Sequence, residues 1–186
     1  MTVSKRLLDY YDRADIDTIE AGLNWYSEAN ILANDLALQY YQDARTIAQV
    51  ISALSPAVSW EVNKKDAINL THGFSKSIAR SIVVSTYGAN KAKAISILAG
   101  IVEIQEKARK TYSFYKNILL DDNYVTIDRH AYKALHGIKK GGSEAITPKR
   151  YDSAVRAYQE TAKQLGIKGY ELQAIVWLQY KQEVGR

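Results

Sequence analysis

Apolar residues recur at spacings of three and four along most of this 186-residue chain, and this helical period limits its fold more than any other feature. One such stripe consists of Tyr151, Ala154, Val155, Tyr158, Ala162 and Leu165. No segment alternates apolar and polar residues for as long as a half-buried strand requires, and only two prolines interrupt the helical pattern. The period therefore predicts an all-α fold.

Start and stop signals divide this pattern into separate helices. Pro56 disfavours helical geometry at the residue before it, so a helix over residues 44–54 ends there. Thr147 and Pro148 are favoured at the cap and the first position of a helix, and Gly166 is typical of its end. The predicted helices cover residues 3–11, 16–42 as one helix or two, 44–54, 59 or 63 to 70, 75–86 in whole or in part, 91–98, 101–107, 109–119, 128–136, 148–165 and 168–183, and residues 139–143 are predicted to form a loop.

The composition excludes several kinds of site. The chain has no cysteine, which rules out disulfides, cysteine-bound zinc and iron–sulfur clusters. His130 and His136 lack the four-residue spacing that places two imidazoles on one helix face, so we expect no metal and no cofactor. No apolar run is long enough to span a bilayer, and residues 1–13 carry charges where a signal peptide needs an apolar block. We therefore expect a soluble, cytoplasmic protein of a bacterium or a phage-infected host cell.

Charge is unevenly distributed along the chain. Residues 1–73 carry 6 basic and 10 acidic side chains, residues 74–116 carry 8 and 2, and residues 117–186 carry 11 and 8. A basic block of this kind favours a polyanionic partner, and nucleic acid is the first candidate. A solvated basic face would give the same pattern, so charge alone leaves both interpretations open.

The most informative motif pairs a lysine with an aspartate that follows 18 residues later. The residues Ala108-Arg109-Lys110-Thr111 begin an apolar helix, and Val125-Thr126-Ile127-Asp128-Arg129-His130 follows after a turn. This arrangement resembles the catalytic segment of the helix-hairpin-helix DNA glycosylases of the endonuclease III kind. In that family a Lys-Thr pair opens the second hairpin helix, and an Asp-x-His sequence opens a later helix at the same separation.

Two further segments resemble the same family, and they occur in the family's order. Residues 51–65, Ile-Ser-Ala-Leu-Ser-Pro-Ala-Val-Ser-Trp-Glu-Val-Asn-Lys-Lys, are similar to its leucine-serine-alanine helix end and the valine-asparagine-lysine helix start. Residues 88–94, Gly-Ala-Asn-Lys-Ala-Lys-Ala, are similar to its lysine-alanine turn. The resemblance implies a two-lobed, all-α glycosylase-like fold in a single domain over residues 1–186. Its hairpin lobe would cover about residues 46–136, and residues 1–45 and 137–186 would form the second lobe.

The chain also departs from the family pattern. The family hairpin is usually leucine-proline-glycine-valine-glycine, whereas the matching residues here are Ile104-Gln105-Glu106-Lys107-Ala108. The family's glycines permit a tight turn whose amides meet a DNA phosphate, and Glu106 would repel that phosphate. Arg129 replaces the commoner threonine between Asp128 and His130. We expect the hairpin's phosphate contact to be altered.

The resemblance implies a chemistry that needs both residues of the motif. Base excision builds positive charge on the sugar, which the Asp128 carboxylate would stabilise, as in glycoside cleavage. The Lys110 amine would attack C1′ and form a Schiff base that leads to strand cleavage. That attack needs a neutral amine, and we expect burial and the neighbouring Arg109 to favour loss of its proton.

The remaining predicted site residues would bind a flipped nucleotide and the strand around it. Trp60, in the loop after Pro56, is predicted to be a wedge or pocket wall, and Asn63 and His130 are predicted to contact the base. The predicted partner is double-stranded DNA, and the protein is predicted to act as a monomer. The predicted DNA contacts are Lys91, Lys93, Lys107, Arg109, Thr111 and Arg129.

Each of these residues also has a purely structural interpretation. Lys110 would then be a surface lysine, Asp128 a helix cap, Trp60 a core aromatic and His130 a structural histidine. Three functions therefore stay open at this point. The first is a DNA N-glycosylase with AP-lyase activity, the second an enzyme of phage DNA base modification on the same fold, and the third a non-catalytic DNA-binding or host-interaction protein.

Overall fold

The computed structural model describes residues 2–138 and 145–185, where it has nine α-helices and no strand. The all-α prediction is therefore confirmed for the described residues, whereas the predicted loop over 139–143 lies outside them. No helix in these ranges is both long and apolar enough to cross a membrane. The helices are α1 (Val3–Arg13), α2 (Ile16–Tyr40), α3 (Ala44–Leu54), α4 (Trp60–Ser75), α5 (Gly88–Leu98), α6 (Arg109–Ile118), α7 (Arg129–His136), α8 (Pro148–Leu165) and α9 (Gly169–Glu183).

The capping signals place several helix ends as predicted. α3 ends at Leu54, two residues before Pro56. α8 begins at Pro148 after the Thr147 cap, whose hydroxyl accepts a hydrogen bond from the Arg150 amide at 3.4 Å. It ends at Gly166, which has the left-handed backbone expected of a helix-ending glycine, with φ at +70°. Residues 16–40 form one continuous helix rather than two.

The predicted helix over residues 75–86 is wrong. α4 continues to Ser75, and Ser77 then adopts a left-handed backbone with φ at +61°, so the chain turns out of the helix. The buried Asp66 carboxylate accepts a hydrogen bond from the Ser85 amide at 2.7 Å. A side chain of α4 thus provides the hydrogen-bond acceptor for one backbone amide of this segment. The segment itself consists of turns and irregular backbone.

The predicted helix over residues 101–107 is also wrong. Gly100 ends α5 with φ at +67°, and the segment between α5 and α6 is irregular. The buried side chain of Gln49 in α3 accepts a hydrogen bond from the Ile104 amide at 2.6 Å. The helix that would precede α6 in a helical hairpin is therefore replaced by a segment held to α3.

The chain forms two compact units. Unit 1 comprises Met1–Glu28 and Leu120–Arg186, and unit 2 comprises Ala29–Leu119. One boundary lies within α2 and the other directly after α6. The predicted organisation into a single domain with two lobes stays a prediction.

Unit 1 has an apolar core to which α1, α7, α8 and α9 contribute. Tyrosine hydroxyls inside this core bind backbone groups. The Tyr151 hydroxyl donates to the Val125 carbonyl at 3.2 Å and accepts from the Ile127 amide at 3.1 Å. The Tyr158 hydroxyl donates to the Ala131 carbonyl of α7 at 2.9 Å. These bonds hold the residues that lead into α7 against the core of unit 1.

Unit 2 is built around α3. Every residue from Ile47 to Leu54 is at most 3% exposed, and α3 packs against α4, α5 and α6. α3 thus supplies a rigid support for the first turn of α6, where the predicted lysine lies.

Candidate functional site

The family-like segments at 51–65 and 108–111 meet on α3 within unit 2, whereas the segment at 125–130 belongs to unit 1. The Ser52 hydroxyl donates to the Thr111 carbonyl of α6 at 2.7 Å. The Asn63 amide group donates to the Ile51 carbonyl at 3.0 Å and links the start of α4 to the end of α3. The polar residues of these segments therefore hold the first turn of α6 and the first turns of α4 to one helix.

The 88–94 segment joins the same network through side chains. The Thr86 hydroxyl donates to the Pro56 carbonyl at 2.8 Å, and the Asn90 amide group donates to the Thr86 hydroxyl at 2.9 Å. Three segments that are separate in the sequence are thus connected by hydrogen bonds in one unit.

Asn63 faces the protein interior. Its side chain is 1% exposed, and its Oδ1 has no hydrogen-bond partner within the described part of the chain. Its amide nitrogen binds the Ile51 carbonyl, as described above. In this structure Asn63 acts as a structural link, and its predicted contact with a base stays a prediction.

Lys110 is the second residue of α6. Its side chain is exposed and makes no hydrogen bond or ion pair with a residue that the structure describes. Our expectation that burial would favour its neutral form is therefore wrong. The Thr111 hydroxyl, one residue later, donates to the Ala108 carbonyl at 3.0 Å. The free side chain of Lys110 is accessible to a bound partner.

The amino terminus of α6 favours an anion. Its N-cap Ala108 supplies no side-chain hydrogen bond, and its first turn contains no acidic residue. The amides of a first helical turn have no carbonyl partner within the helix, and together with the helix dipole they place partial positive charge there. Lys107 is exposed and Arg109 is half-buried beside this turn, which adds cationic side chains to the same end of the helix.

The amino terminus of α5 shares this character. Its N-cap Tyr87 supplies no side-chain hydrogen bond, and its first turn also lacks an acidic residue. The predicted DNA contact Lys91 donates from Nζ to the Arg80 carbonyl at 2.7 Å, and Lys93 is half-buried. In the described ranges, each of the other seven helices has a side-chain oxygen at its amino terminus that accepts a hydrogen bond from a backbone amide. These side chains are Thr2, Asp15, Asp43, Ser59, Asp128, Thr147 and Glu171.

Asp128 lies in unit 1 at the N-cap of α7, which confirms its predicted capping role. Its Oδ1 accepts from the Ala131 amide at 2.7 Å, and its Oδ2 accepts from the Trp177 indole Nε1 at 3.1 Å. The carboxylate is half-buried and forms no ion pair within the described ranges. Both hydrogen bonds to this carboxylate therefore come from neutral donors.

Two buried phenols, those of Tyr26 and Tyr158, feel the charge of Asp128. Burial raises the pKa of Tyr26, a hydrogen bond with Thr126 opposes that shift, and the Asp128 charge adds to it. Burial and the Asp128 charge likewise raise the pKa of Tyr158. The Tyr26 hydroxyl donates to Gln173 Oε1 of α9 at 2.9 Å. Both phenols therefore stay neutral.

The other two site residues on α7 differ in exposure. Arg129 is exposed at the first position of the helix. His130 is half-buried, and its ring centroid lies 6.0 Å from that of Tyr180. This packing agrees with the structural interpretation of His130, and its contact with a base stays a prediction.

Trp60 begins α4 and does not lie in a loop, so its predicted position is wrong. The Ser59 hydroxyl accepts from the Val62 amide at 3.4 Å and starts the helix at Trp60. The ring is half-buried, with Lys64 Nζ 5.7 Å from its centroid. Half-burial neither requires nor prevents insertion of the Trp60 ring into DNA, so the wedge role stays a prediction.

The family of unknown function DUF7178 matches residues 1–184. The chain belongs to this family. No curated protein and no solved structure matches the chain at a significant level. In this DUF7178 protein, the chemistry must therefore be inferred from the residues of the two units.

Sequence reasoning missed Trp177, which contacts Asp128, and Lys181, which packs on the Trp177 ring. Trp177 donates to the Asp128 carboxylate from 49 residues away, and Lys181 places Nζ 4.1 Å from the centroid of the Trp177 ring. Both lie in the last helix, α9. The spacing of apolar residues along a helix does not reveal a hydrogen bond to a residue 49 positions away. Within residues 2–138 and 145–185, no group of three or more histidines and carboxylates could hold a metal ion.

Proposed function

We propose that this DUF7178 protein is a DNA N-glycosylase with AP-lyase activity that excises a modified or damaged base from duplex DNA. One observation carries this proposal. Lys110 lies in the first turn of a helix without a side-chain cap, and Asp128, which follows 18 residues later, caps the next helix. This is the order and spacing that the resemblance to helix-hairpin-helix glycosylases implies. The two-lobed glycosylase fold, a monomeric state and a location in the cytoplasm of a bacterium or infected host belong to the same proposal.

Lys110 is the proposed nucleophile. Its neutral amine attacks C1′ of the flipped nucleotide, and the departing base takes the electron pair of the C1′–N bond. The proton lost by the amine balances the proton gained by the base. The resulting amine adduct opens to a Schiff base, which permits strand cleavage. The exposure of Lys110 supports this role, because a nucleotide can reach its side chain without displacing an existing partner.

Asp128 is the proposed stabiliser of the positive charge that develops on the sugar. Its two oxygens accept hydrogen bonds from the neutral N–H groups of Ala131 and Trp177. Such donors orient the carboxylate without cancelling its charge. The carboxylate is thus suited to stabilise an oxocarbenium-like state.

The proposed DNA contacts lie near the starts of α5, α6 and α7. The amino termini of α5 and α6 offer backbone amides to phosphates, as helix starts commonly do. The cationic and hydroxyl side chains proposed to bind DNA are Lys91, Lys93, Lys107, Arg109, Thr111 and Arg129.

An enzyme of phage DNA base modification is the second candidate function. It is favoured by the segment between α5 and α6, which is irregular where a glycosylase hairpin has a helix. The Ile104 amide in this segment binds Gln49 and is not free to meet a phosphate. A substrate that does not depend on a hairpin contact would suit this geometry.

Borohydride trapping tests the proposal. Duplexes that carry uracil, an oxidised base or an abasic site are incubated with the protein, and Schiff bases are reduced to stable adducts. We expect an adduct that Lys110→Ala loses and that Lys76→Ala, a change at an exposed lysine of unit 2, retains. Asp128→Asn should release at least tenfold less base, on the order expected for a lost transition-state charge, because asparagine still caps α7.

Three outcomes separate the candidate functions. An adduct that depends on Lys110 supports the glycosylase with lyase activity. Salt-dependent binding without any adduct or base release would support a non-catalytic DNA-binding protein and overturn the proposal. Processing of an unusual modified base alone would support the second candidate.

A further inference from the structure

The indole of Trp177 binds the carboxylate of Asp128, and from this contact we infer that Trp177 is a positioning residue for Asp128. This inference rests on the proposed function. Trp177 lies in α9, 49 residues beyond Asp128, and both residues belong to unit 1. Nothing in the glycosylase-like motif requires a tryptophan at this place.

The two hydrogen bonds to Asp128 have different roles: one caps α7 and the other orients the carboxylate. The Ala131 amide binds Oδ1 at 2.7 Å, which is enough to cap α7. A cap bond to one oxygen leaves the carboxylate able to rotate about its terminal torsion, which is a broad and soft one. The Trp177 indole binds Oδ2 at 3.1 Å and removes that freedom. Trp177 therefore sets the direction in which the remaining lone pairs of Asp128 point.

Trp177 is itself held in place by its neighbours. Lys181, one helical turn later, places Nζ 4.1 Å from the centroid of the indole ring, within the range of a cation–π contact. The preceding residues Ile175 and Val176 are fully buried and anchor α9. The indole is only half-buried, so Trp177 is not simply an aromatic residue of the core.

This geometry predicts a particular pattern of kinetic defects. Trp177→Phe keeps an aromatic ring but removes the N–H donor, so Asp128 still caps α7 while its carboxylate rotates more freely. We expect kcat to fall by about tenfold or more and KM to change by no more than about twofold, because misplacement of a catalytic group acts mainly on the transition state. Trp177→His, which restores a ring N–H donor, should recover part of kcat. Trp25→Phe, at a half-buried tryptophan of unit 1, should leave kcat unchanged.

An NMR measurement tests the contact without relying on activity. The chain has three tryptophans, so nitrogen-15 labelling gives three indole N–H resonances, and Trp177→Phe identifies one of them. Asp128→Ser keeps a capping hydroxyl but is too short to reach the indole. We expect Asp128→Ser to shift the Trp177 indole resonance and to leave those of Trp25 and Trp60 in place.

An unchanged Trp177 resonance in Asp128→Ser, or wild-type kcat in Trp177→Phe, would overturn the inference. A wild-type protein without base excision would overturn the proposed function and the catalytic part of this inference. The indole resonance would still decide whether Trp177 holds Asp128, so the two failures are distinguishable.

Discussion

Asn63 shows how a residue of the glycosylase-like motif acts inside unit 2. At the end of α3 the Ser55 amide binds the Ser52 carbonyl at 3.3 Å, which leaves the Ile51 carbonyl without its usual helical partner. The Asn63 side chain supplies the missing donor at 3.0 Å. The sequence pattern predicts that an asparagine matters here, but the direction of its amide depends on how α4 packs against α3.

Asn63→Ala should therefore destabilise the protein. The change leaves a buried carbonyl without a donor, and we expect the free energy of unfolding to fall by about 1–3 kcal/mol. Urea denaturation measures this change. Asn69→Ala, on the exposed side of the same helix, is the matched control and should stay within about 0.5 kcal/mol of wild type. Equal losses in the two variants would contradict the structural role of Asn63.

At the scale of the helices, the sequence was sufficient to predict a helix end where the capping residue lies directly beside that end in the sequence. α8 begins after Thr147 and ends at Gly166, as its capping residues predict. In each of the two segments wrongly predicted to be helical, 75–86 and 101–107, a distant side chain binds one backbone amide. Asp66 binds the Ser85 amide from 19 residues away, and Gln49 binds the Ile104 amide from 55 residues away. A local pattern contains no information about such partners.

The packing of α2 against α9 in unit 1 predicts the effect of a methyl group at Gly22. A Cβ there would lie 2.7 Å from both the backbone nitrogen and the Cα of Ile175, which cannot yield as a flexible side chain can. We expect Gly22→Ala to lower the free energy of unfolding by about 1–3 kcal/mol or more. Gly88→Ala, where a Cβ would meet nothing within 4 Å, is the control. A thermal denaturation midpoint for Gly22→Ala equal to that of Gly88→Ala would contradict this packing.

The cap of α3 predicts a pH dependence of stability. Burial alone would raise the pKa of Asp43, but hydrogen bonds from the Thr46 amide at 2.7 Å and hydroxyl at 2.8 Å, together with Arg45, hold it below its ordinary 3.8. Because the folded pKa is the lower one, the carboxylate contributes stability above about pH 3.8, and this contribution is lost as the pH falls below that value.

Unfolding measured in urea from about pH 5 to about pH 2.5 tests this prediction. The wild type should lose stability relative to Asp43→Asn, since asparagine still caps α3 but does not titrate. Thr46→Val, which removes only the hydroxyl donor, should show a smaller pH effect than the wild type. A constant difference between the wild type and Asp43→Asn over this range would refute the predicted shift.

At the scale of the whole molecule, the two units differ in net charge. Unit 2 contains 11 basic and 6 acidic residues, whereas unit 1 contains 14 of each. The formal net charge of +5 therefore belongs to unit 2, which also contains α5 and α6. The basic block was evident from the sequence alone. The lack of side-chain caps at α5 and α6 became evident only from the folded backbone.

The charge of unit 2 predicts how salt would weaken the proposed binding to DNA. Lys107→Gln removes an exposed cation beside the start of α6, so the slope of log affinity against log salt should become shallower by about 1. Lys163→Gln, at an exposed lysine of α8 in unit 1, should leave the slope unchanged. Fluorescence anisotropy on an undamaged duplex measures both slopes. Equal slopes for the two variants would place the DNA surface elsewhere.

The motif predicted Lys110 and Asp128 as a pair, and the preference of aspartate for helix starts predicted that Asp128 caps a helix. It could not predict that Lys110 is exposed or that Trp177 binds Asp128, because both depend on residues outside the motif. The chemistry of the pair remains the central claim. Mass spectrometry of the borohydride-reduced complex with an abasic-site duplex tests it most directly, because the position of the modified residue is read from the peptides. We predict a deoxyribose remnant on Lys110, and a remnant on a different amine, or none at all, would contradict the account.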